Sequence, residues 1–320
     1  MPIENDTDPF PADLLRAIVR ESHGIQVQEV TLLGVSENHA YRLTGPLGER
    51  WFCRVHGDDP TYDVCLPGEF VLLDQLHAEE PGLAIRGIPT VDGACRVRFE
   101  HRDRRWLLVL FSWLPGEHRA KESVTRADMT AMGDSVARFH RAAGLLSKRP
   151  PRPVYDAACY GGSGSFFYRE DFPLLVHDPD REPFLEVRRR LDAYVVSSAA
   201  PDLAPIHFDL HLGNFLFHEG GASMIDFDEC GYGYPLFDLG HILFALHDHP
   251  DHAGLEDALV AAYEAGSGAE VDRHELRMFQ GVQAIAILRY FFRLYDRTHG
   301  ATNWFGAVPG ISRAVERLLG

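Results

Sequence analysis

Long apolar runs, paired cysteine motifs and an excess of basic residues are all missing from this sequence. The longest apolar stretch, residues 106–114, suits one strand and is well below the roughly 18 residues of a membrane-spanning helix. The five cysteines are odd in number and form no C-x-x-C, which favours a reducing compartment over a disulfide scaffold. Because the first residues are acidic and lack the apolar run of a signal peptide, a cytoplasmic location is expected.

Basic residues are scarce relative to acidic ones. The chain has 31 Lys and Arg against 47 Asp and Glu, a net charge of −16, so neither nucleic acid nor an anionic membrane is expected as a partner. What is present is typical of a folded globular protein: 45% hydrophobic and 24% charged residues over 320 positions. That length allows one large domain or two lobes, and the charge favours metals and cationic ligands.

Most of the first 114 residues are predicted to form strands, after an opening helix over Ala12–Ser22. One further helix is expected over Pro67–His77, because Leu72, Leu73 and Leu76 share one face. The strands are apolar segments separated by turn-forming Gly, Pro and Asp, and they are expected at Val27–Leu33, Ala40–Leu43, Trp51–Val55, Cys95–Phe99 and Trp106–Trp113.

Residues 115–320 are predicted to be mainly helical. Thr125 and Asp128 have the spacing of a capping box, and apolar residues follow at helical spacing. Further helices are expected at Pro183–Ser197, Phe237–Leu246, Leu255–Ala265 and Glu275–Asp296. The sequence therefore predicts an α+β chain with two lobes, a strand-rich one over residues 1–114 and a larger helical one over residues 115–320.

One segment of the helical lobe breaks the pattern, residues 206–228, IHFDLHLGNFLFHEGGASMIDFD. Phe215–Phe217 and Ala222–Ile225 are expected to pair as a hairpin centred on Gly220. Since Asn214 and Asp226 are equally far from that centre, they are predicted to lie side by side. An amide and a carboxylate, with other positions left to water and phosphate oxygens, suit Mg²⁺.

Asp209 lies five residues before Asn214, on the loop that leads into the hairpin. A carboxylate there could accept a proton from an attacking hydroxyl without binding the metal. In an alternative interpretation, His207, Asp209 and His211 alternate along one side of a strand and bind a transition metal.

The pattern H-x-D-x-x-x-x-N followed by I-D-F-D resembles the catalytic loop and metal-binding motif of the aminoglycoside phosphotransferase and type II homoserine kinase family. These are small two-lobed kinases with the protein-kinase fold: an N-terminal lobe with an antiparallel sheet and one main helix, and a larger helical C-terminal lobe. The resemblance covers residues 25 to 250 approximately. Residues 36–41, SENHAY, resemble the hairpin that covers the phosphates, and residues 52–56, FCRVH, resemble the third strand.

The resemblance implies a role for each matching residue. In the catalytic loop, Asp209 would be the base and His207 a brace, with Asn214 acting in catalysis and in metal binding. Asp226 and Asp228 would complete the metal site, and Asp238 would brace the loop. The nucleotide would be contacted by residues of the strand-rich lobe and its hinge: Arg54, Glu69, Asn38, Ser112 and Leu114.

Two positions of the strand-rich lobe can be argued from charge. Arg54 stands where most relatives have a phosphate-binding lysine; it keeps the charge but binds phosphate with a different geometry. Glu69 falls on the apolar face of its helix, where a lone carboxylate is costly unless a cation pairs with it. Arg54 is the expected partner. In the catalytic loop, Phe208 and Leu212 replace a frequent glycine and proline of the family.

The sequence therefore indicates a kinase that transfers a phosphoryl group from ATP or GTP, with Mg²⁺, to a hydroxyl of a small molecule. Antibiotics and amino alcohols such as homoserine are the acceptor classes considered, and a monomer and a homodimer are both open. A bacterial stress-response type of Ser/Thr protein kinase and a nucleotide-binding regulator without turnover are the alternatives.

Overall fold

The computed structural model describes residues 10–35, 38–163, 165–196, 203–298, 300 and 304–319. Two compact units are present. Unit 1 contains residues 1–115 and 146–152, and unit 2 contains residues 116–145 and 153–320. The domain boundary after residue 114 stays a prediction. Within the described ranges, no helix is long and apolar enough to cross a membrane.

Unit 1 is built on one antiparallel sheet, whose strands are β1 (Glu29–Val35), β2 (His39–Thr44), β3 (Arg50–Gly57), β4 (Gly87–Ile88), β5 (Val97–His101) and β6 (Arg104–Ser112). They follow the order β1-β2-β3-β6-β4, with β5 also paired to β6. Five were predicted to within a few residues, whereas β4 was missed because two residues carry no alternation pattern. Buried side chains such as Phe10, Tyr41 and Cys53 form the core beneath the sheet.

The helices of unit 1 are α1 (Ala12–His23) and α2 (Thr61–Glu79). The second begins six residues before its predicted start, so Pro67 lies inside the helix instead of opening it. A proline there removes one backbone hydrogen bond. The preceding Leu66 is buried, with 1% of its surface exposed, and its packing favours the additional turns.

Unit 2 is mainly helical. Its helices are α3 (Arg126–Gly144), α4 (Ala157–Gly161), α5 (Phe172–Leu175), α6 (Glu182–Val196), α7 (Leu236–Ala245), α8 (His252–Ser267), α9 (Arg273–Arg297) and α10 (Val308–Leu319). The capping box predicted at Thr125 and Asp128 is present at the start of α3. The short α4 and α5 and the terminal α10 were not predicted. The core lies where α6, α7, α9 and α10 meet, with Phe184, Phe237 and Phe279 among its fully buried side chains.

Two small sheets support the irregular segment of unit 2. One consists of β7 (Val154–Tyr155), β8 (Ala204–Ile206) and β11 (Gly231–Gly233), with β11 in the middle. The other is the hairpin of β9 (Phe215–His218) and β10 (Gly221–Met224). Because β8 leads into the loop before the hairpin and β11 follows it, the first sheet anchors both ends of the segment.

Candidate active site

Asp209 and Asn214 are in direct contact in unit 2. The Asn214 amide nitrogen donates to the Asp209 backbone oxygen at 2.7 Å and to its carboxylate Oδ2 at 3.0 Å. Both partners can only accept, so the nitrogen of the amide must face Asp209. The amide oxygen of Asn214 is thereby turned away, and it has no hydrogen bond from any described residue. Asp209 keeps 37% of its side chain exposed, while Asn214 is buried.

The hairpin after this loop is formed, with a register that differs from the prediction. His218 pairs with Gly221 and Phe215 with Met224, so the turn has two residues and Gly221 takes the positive φ of +128°. Asn214 therefore lies opposite Ile225, whose N–H donates to the Asn214 carbonyl at 3.0 Å. The prediction that Asp226 lies directly opposite Asn214 was wrong by one residue, because the pair of adjacent glycines permits either turn.

Asp226 has a left-handed backbone with φ +66°. In the described part of unit 2, the only other non-glycine residue with positive φ is Phe208, at +74°. Such conformations are costly for residues with a side chain, and they are concentrated at functional sites. Beyond Asp226, Phe227 is buried and Asp228 begins a turn. One of the two strained residues directly precedes the candidate base Asp209, and the other is the candidate metal ligand Asp226.

In the described part of the chain, a metal ion would find only a partial ligand set. Among the described residues, no three His, Cys, Asp or Glu side chains cluster so that they could hold a metal by themselves. The candidate donors are the amide oxygen of Asn214, which faces away from Asp209, and the carboxylates of Asp226 and Asp228. An oxygen-only set that leaves positions to water and phosphate suits Mg²⁺ and does not suit a closed transition-metal site.

His207 contacts the hairpin through its ring nitrogen Nε2. Its side chain is fully buried, and Nε2 lies 3.0 Å from the Ile225 carbonyl, which can only accept, so Nε2 carries the proton. Burial lowers the pKa of His207, which favours the neutral ring. The histidine thus ties the catalytic loop to the hairpin next to Asp226. Because no three His, Cys, Asp or Glu side chains cluster among the described residues, the transition-metal interpretation of His207, Asp209 and His211 is not supported.

A buried carboxylate, Asp238 on α7, holds the backbone on which Asp209 is carried. It accepts hydrogen bonds from the N–H groups of His207 at 2.8 Å and Phe208 at 2.9 Å, and from His140 Nε2 at 3.0 Å. Burial by itself would raise the pKa of Asp238, but the hydrogen bond and charge of His140 hold it below its usual value. An ionised carboxylate therefore braces the loop.

Sequence reasoning missed two side chains that support this arrangement. His140 is 98 residues from Asp238 along the chain, and no local pattern connects them. His241 contacts the Phe208 carbonyl with Nδ1 at 2.9 Å. It follows Asp238 by three residues in a helix, so the helical period places both on one face. That spacing was a usable signal.

In unit 1, Arg54 and Glu69 form the predicted ion pair. Arg54 Nη2 donates to Glu69 Oε2 at 2.8 Å, and the side chains are 3% and 1% exposed. β3 carries the arginine and α2 the glutamate. The guanidinium also lies 5.0 Å from the centre of the Phe111 ring. The pair is as deeply buried as its apolar surroundings.

The remaining nucleotide-contact candidates also lie in unit 1. Ser112 ends β6, and its N–H donates to the Arg86 carbonyl at 2.8 Å, so this donor is already used. Leu114 follows outside any strand, and its N–H makes no backbone hydrogen bond to a described residue. Asn38 directly precedes β2 and is half-buried. Ser36 and Glu37, predicted as part of the phosphate-covering hairpin, lie outside the described residues.

A family model described as the phosphotransferase enzyme family, APH, matches residues 29–279. The chain belongs to this family. The APH family assignment covers the sheet of unit 1, the catalytic loop, the hairpin and the first turns of α9, and it confirms the family predicted from the sequence. The protein is accordingly a kinase or phosphotransferase.

Solved structures share the fold of this APH family member. An amicoumacin kinase in complex with AMP-PNP and Ca²⁺ is 17% identical with a TM-score of 0.70, over 97% of this chain and 94% of that one. A microcompartment-associated aminopropanol kinase is 20% identical with a TM-score of 0.73, over 97% and 95%. A spectinomycin phosphotransferase with ADP and its antibiotic is 13% identical with a TM-score of 0.65, over 97% and 95%. They confirm the predicted protein-kinase-like α+β fold. A search of curated proteins finds no significant sequence match.

Proposed function

We propose that this phosphotransferase moves the γ-phosphoryl group of ATP to a hydroxyl group of a small molecule in a Mg²⁺-dependent reaction. The observation that carries the proposal is the contact between Asp209 and Asn214. One amide donates both of its N–H bonds to the candidate base and presents its oxygen elsewhere. A base and a metal ligand are thereby held at a fixed distance from each other, as phosphoryl transfer requires.

Asp209 has the exposure and support that a base for this reaction needs. The acceptor hydroxyl would donate its hydrogen bond to the Asp209 carboxylate, and its proton would pass to that carboxylate as the oxygen attacks phosphorus. Asn214 occupies Oδ2, which leaves Oδ1 for the acceptor. Because 37% of the side chain is exposed, a substrate can reach it.

Asn214, Asp226 and Asp228 are the residues that would hold the metal. A bound Mg²⁺ supplies positive charge next to the phosphate oxygens, where negative charge develops. Asn214 contributes a neutral oxygen to it, and the left-handed backbone of Asp226 sets the direction in which its carboxylate points. His207 ties the loop to the Ile225 carbonyl and so keeps Asp209 near this group.

For the nucleotide, we propose Arg54 as the phosphate-binding cation, positioned by Glu69. The guanidinium carries a fixed positive charge, and guanidinium groups bind phosphate oxygens well. The adenine ring is proposed to accept a hydrogen bond from the Leu114 N–H. It is proposed to donate one to the Ser112 carbonyl, since the Ser112 N–H is already used. Asn38 is proposed to lie near the phosphates. GTP is the alternative donor.

The acceptor we propose is an amine-bearing alcohol, either an antibiotic or an amino alcohol metabolite. Burial and the charges of Asp228 and Asp209 raise the pKa of Glu229, and Arg293, which lies 3.8 Å from Glu229, opposes them only in part. A cationic acceptor would be attracted to these carboxylates. Solved structures of the same fold include an amicoumacin kinase, an aminopropanol kinase and a spectinomycin phosphotransferase, which is in keeping with this class.

The test is an ATP- and GTP-consumption screen of the purified protein against aminoglycosides, other amine-bearing antibiotics, homoserine, further amino alcohols and neutral sugars. A hydroxyl-bearing amine is expected to stimulate nucleotide consumption, and product mass should rise by one phosphoryl group. Radiolabelled ATP alone is the control for protein phosphorylation. Label transfer to protein without stimulation by any small molecule would contradict the proposal.

The metal assignment is tested separately. Asp226→Ala removes a carboxylate ligand and is expected to abolish the Mg²⁺-dependent part of ATP binding, as measured by calorimetry with and without EDTA. Asp180→Ala, at a charged position remote in sequence, is the control. Unchanged Mg·ATP affinity in Asp226→Ala would place the metal elsewhere.

A further inference from the structure

The residue before the candidate base is held at both ends of its backbone. Phe208 has φ +74°, which costs roughly 1–2 kcal/mol for a residue with a side chain. Its N–H donates to Asp238 Oδ1 at 2.9 Å, and its carbonyl oxygen lies 2.9 Å from His241 Nδ1. Asp238 and His241 are both on α7, one turn apart. Without these contacts, the backbone would relax towards an ordinary conformation and Asp209 would turn with it.

The direction of the hydrogen bonds through His241 follows from chemistry. A carbonyl oxygen can only accept, so Nδ1 of His241 must carry the proton. In the neutral ring, Nε2 then has a lone pair, and the Gln283 amide nitrogen lies 3.0 Å from it as the donor. The chain runs from the Gln283 amide through the imidazole to the Phe208 carbonyl. It joins α9, α7 and the catalytic loop.

The surroundings of His241 favour the neutral ring. The side chain is buried, and burial lowers its pKa, against the opposing charge of Asp209. The ionisable groups that face it are Asp209, Asp238 and His211. Nε2 lies 3.9 Å from Asp209 Oδ1, beyond hydrogen-bond distance. A lone pair facing a carboxylate does not bind it, so His241 acts on the peptide that carries Asp209 and leaves Oδ1 available.

We propose that His241, fixed by Gln283, is a positioning residue that sets the direction of Asp209 by holding the Phe208 carbonyl. The proposal rests on the proposed function in one respect, that Asp209 is the base. Asp238 fixes the N–H side of Phe208 and His241 fixes the carbonyl side. Displacement of a reacting group by about 1 Å can lower a rate roughly 100-fold, so this second contact has a measurable effect on turnover.

The first test reads the tautomer directly and needs no substrate. Long-range ¹H–¹⁵N NMR of the ¹⁵N-histidine-labelled protein at pH 7 distinguishes rings protonated at Nδ1 from those protonated at Nε2. The resonance is assigned by its loss in His241→Asn. His241 is expected as the neutral ring with the proton on Nδ1. A proton on Nε2, or a doubly protonated ring, overturns the proposal whatever the activity assays show.

The second test compares two substitutions that each keep one end of the imidazole. Asn places its amide nitrogen near Nδ1, whereas Gln places its amide near Nε2. His241→Asn is expected to have a kcat within about threefold of the wild-type value, because it keeps the donor to the Phe208 carbonyl. His241→Gln is expected to lower kcat roughly 10- to 100-fold. In both variants the KM for ATP should stay within about threefold of wild type. The assay follows ADP formation from Mg·ATP with the acceptor from the screen, or with water as acceptor. Equal kcat values for the two variants would overturn the proposal.

Three further variants separate the possible failures. His247→Asn is the matched control, since His247 lies just beyond α7, binds the Phe244 carbonyl with Nδ1 at 2.9 Å and does not contact the loop. It is expected to match the wild type. Gln283→Leu should lower kcat less than His241→Gln does, and wild-type kcat in this variant would contradict the role of Gln283. If Asp209→Asn keeps wild-type activity, the assignment of the base fails while the tautomer result stands.

Discussion

The two candidate regions hold a carboxylate in opposite ways. In unit 1, Glu69 is 1% exposed and pairs with a guanidinium between a strand and a helix of regular geometry. In unit 2, Asp209 is 37% exposed and is held by a neutral amide on a loop with a left-handed residue before it. A carboxylate that serves structure can be buried with its countercharge. One that has to meet a substrate must stay accessible, and other residues must hold its backbone.

This difference predicts how each region fails. Breaking the buried pair leaves a charge without a partner in an apolar environment, so stability should fall. Changing the exposed carboxylate removes a reactive group and little packing, so the rate should fall while the fold persists. The experiments below test this contrast, beginning with the largest effect.

Asp209→Asn should separate rate from stability most clearly. It keeps an acceptor for the Asn214 amide but removes the proposed base, so kcat is expected to fall roughly 10²- to 10⁴-fold. The melting temperature and the affinity for Mg·ATP should be nearly unchanged. Steady-state kinetics, thermal melts and calorimetry measure the three quantities. A kcat within threefold of the wild type would mean that Asp209 is not the base.

Arg54→Ala should show two defects together. Removing one partner of a buried pair costs about 3–5 kcal/mol, so unit 1 should lose stability, and ATP affinity should fall. Arg54→Lys restores the charge and should recover most of the stability. The double variant Arg54→Ala with Glu69→Gln should regain stability without regaining activity.

Thermal melts and the KM for ATP distinguish these outcomes, with Arg86→Ala as the control for an exposed arginine whose contact with Asp74 is solvent-accessible. Arg54→Ala that melts like the wild type and keeps its KM would remove the contrast between the two regions. The guanidinium would then have neither the structural nor the binding role.

Local sequence patterns were enough for the features that depend on neighbours along the chain. The capping box at Thr125, the strands of unit 1 and the existence of the hairpin follow from residue types at short spacing. The pair of Arg54 and Glu69 was also predictable, because a charge on an apolar helix face needs a partner. The helical spacing that buries Glu69 is a local pattern, and the need to neutralise its charge then predicts one long-range contact, with Arg54.

The remaining features depend on packing that no local pattern encodes. The register of the hairpin depends on which of two adjacent glycines adopts positive φ, and composition does not distinguish them. His140 reaches Asp238 across 98 positions. Pro67 lies inside α2 because the packing of neighbouring residues outweighs one lost hydrogen bond. In each case tertiary contacts select among conformations that the sequence leaves open.

His56 sharpens the comparison, because its effect should be confined to the stability of unit 1. It is 2% exposed beside Tyr62, and burial, with the nearby charge of Arg54, lowers its pKa from 6.5 to about 4. As the pH falls, His56 therefore takes up a proton in the unfolded chain at a higher pH than in the folded protein. The contribution of neutral His56 to the free energy of unfolding is fully present above about pH 6.5. It is lost as the pH falls towards 4, by about 3 kcal/mol.

Urea unfolding of wild type and His56→Asn between pH 7 and pH 4 measures this contribution as the difference between the two proteins. Asn keeps a donor for the Gly57 carbonyl, which His56 Nδ1 contacts at 3.2 Å. The difference should shrink as the pH falls. His77→Gln, at an exposed histidine of α2, is the control and should show no such trend. A pH-independent difference for His56→Asn would contradict the prediction.

The smallest expected effect tests whether the left-handed backbone of Phe208, in unit 2, is strained. The Phe208 ring stacks between Tyr155, with centroids 3.6 Å apart, and Phe237, at 5.0 Å. These contacts help to offset the left-handed backbone. Phe208→Ala loses the stacking and keeps the strain, whereas Phe208→Gly loses the stacking and relieves the strain. Glycine should therefore be the more stable of the two variants, by about 1 kcal/mol.

The sign of that difference is the decisive quantity, because glycine is normally worse than alanine by roughly 0.5–1 kcal/mol in regular structure. Leu239→Ala and Leu239→Gly, in the middle of α7, are the matched pair with ordinary helical backbone, and there alanine should be the more stable. Urea unfolding of the four variants gives both differences. If alanine is also the more stable residue at position 208, the loop carries no strain for Asp238 and His241 to hold, and the left-handed conformation at Phe208 has no part in positioning Asp209.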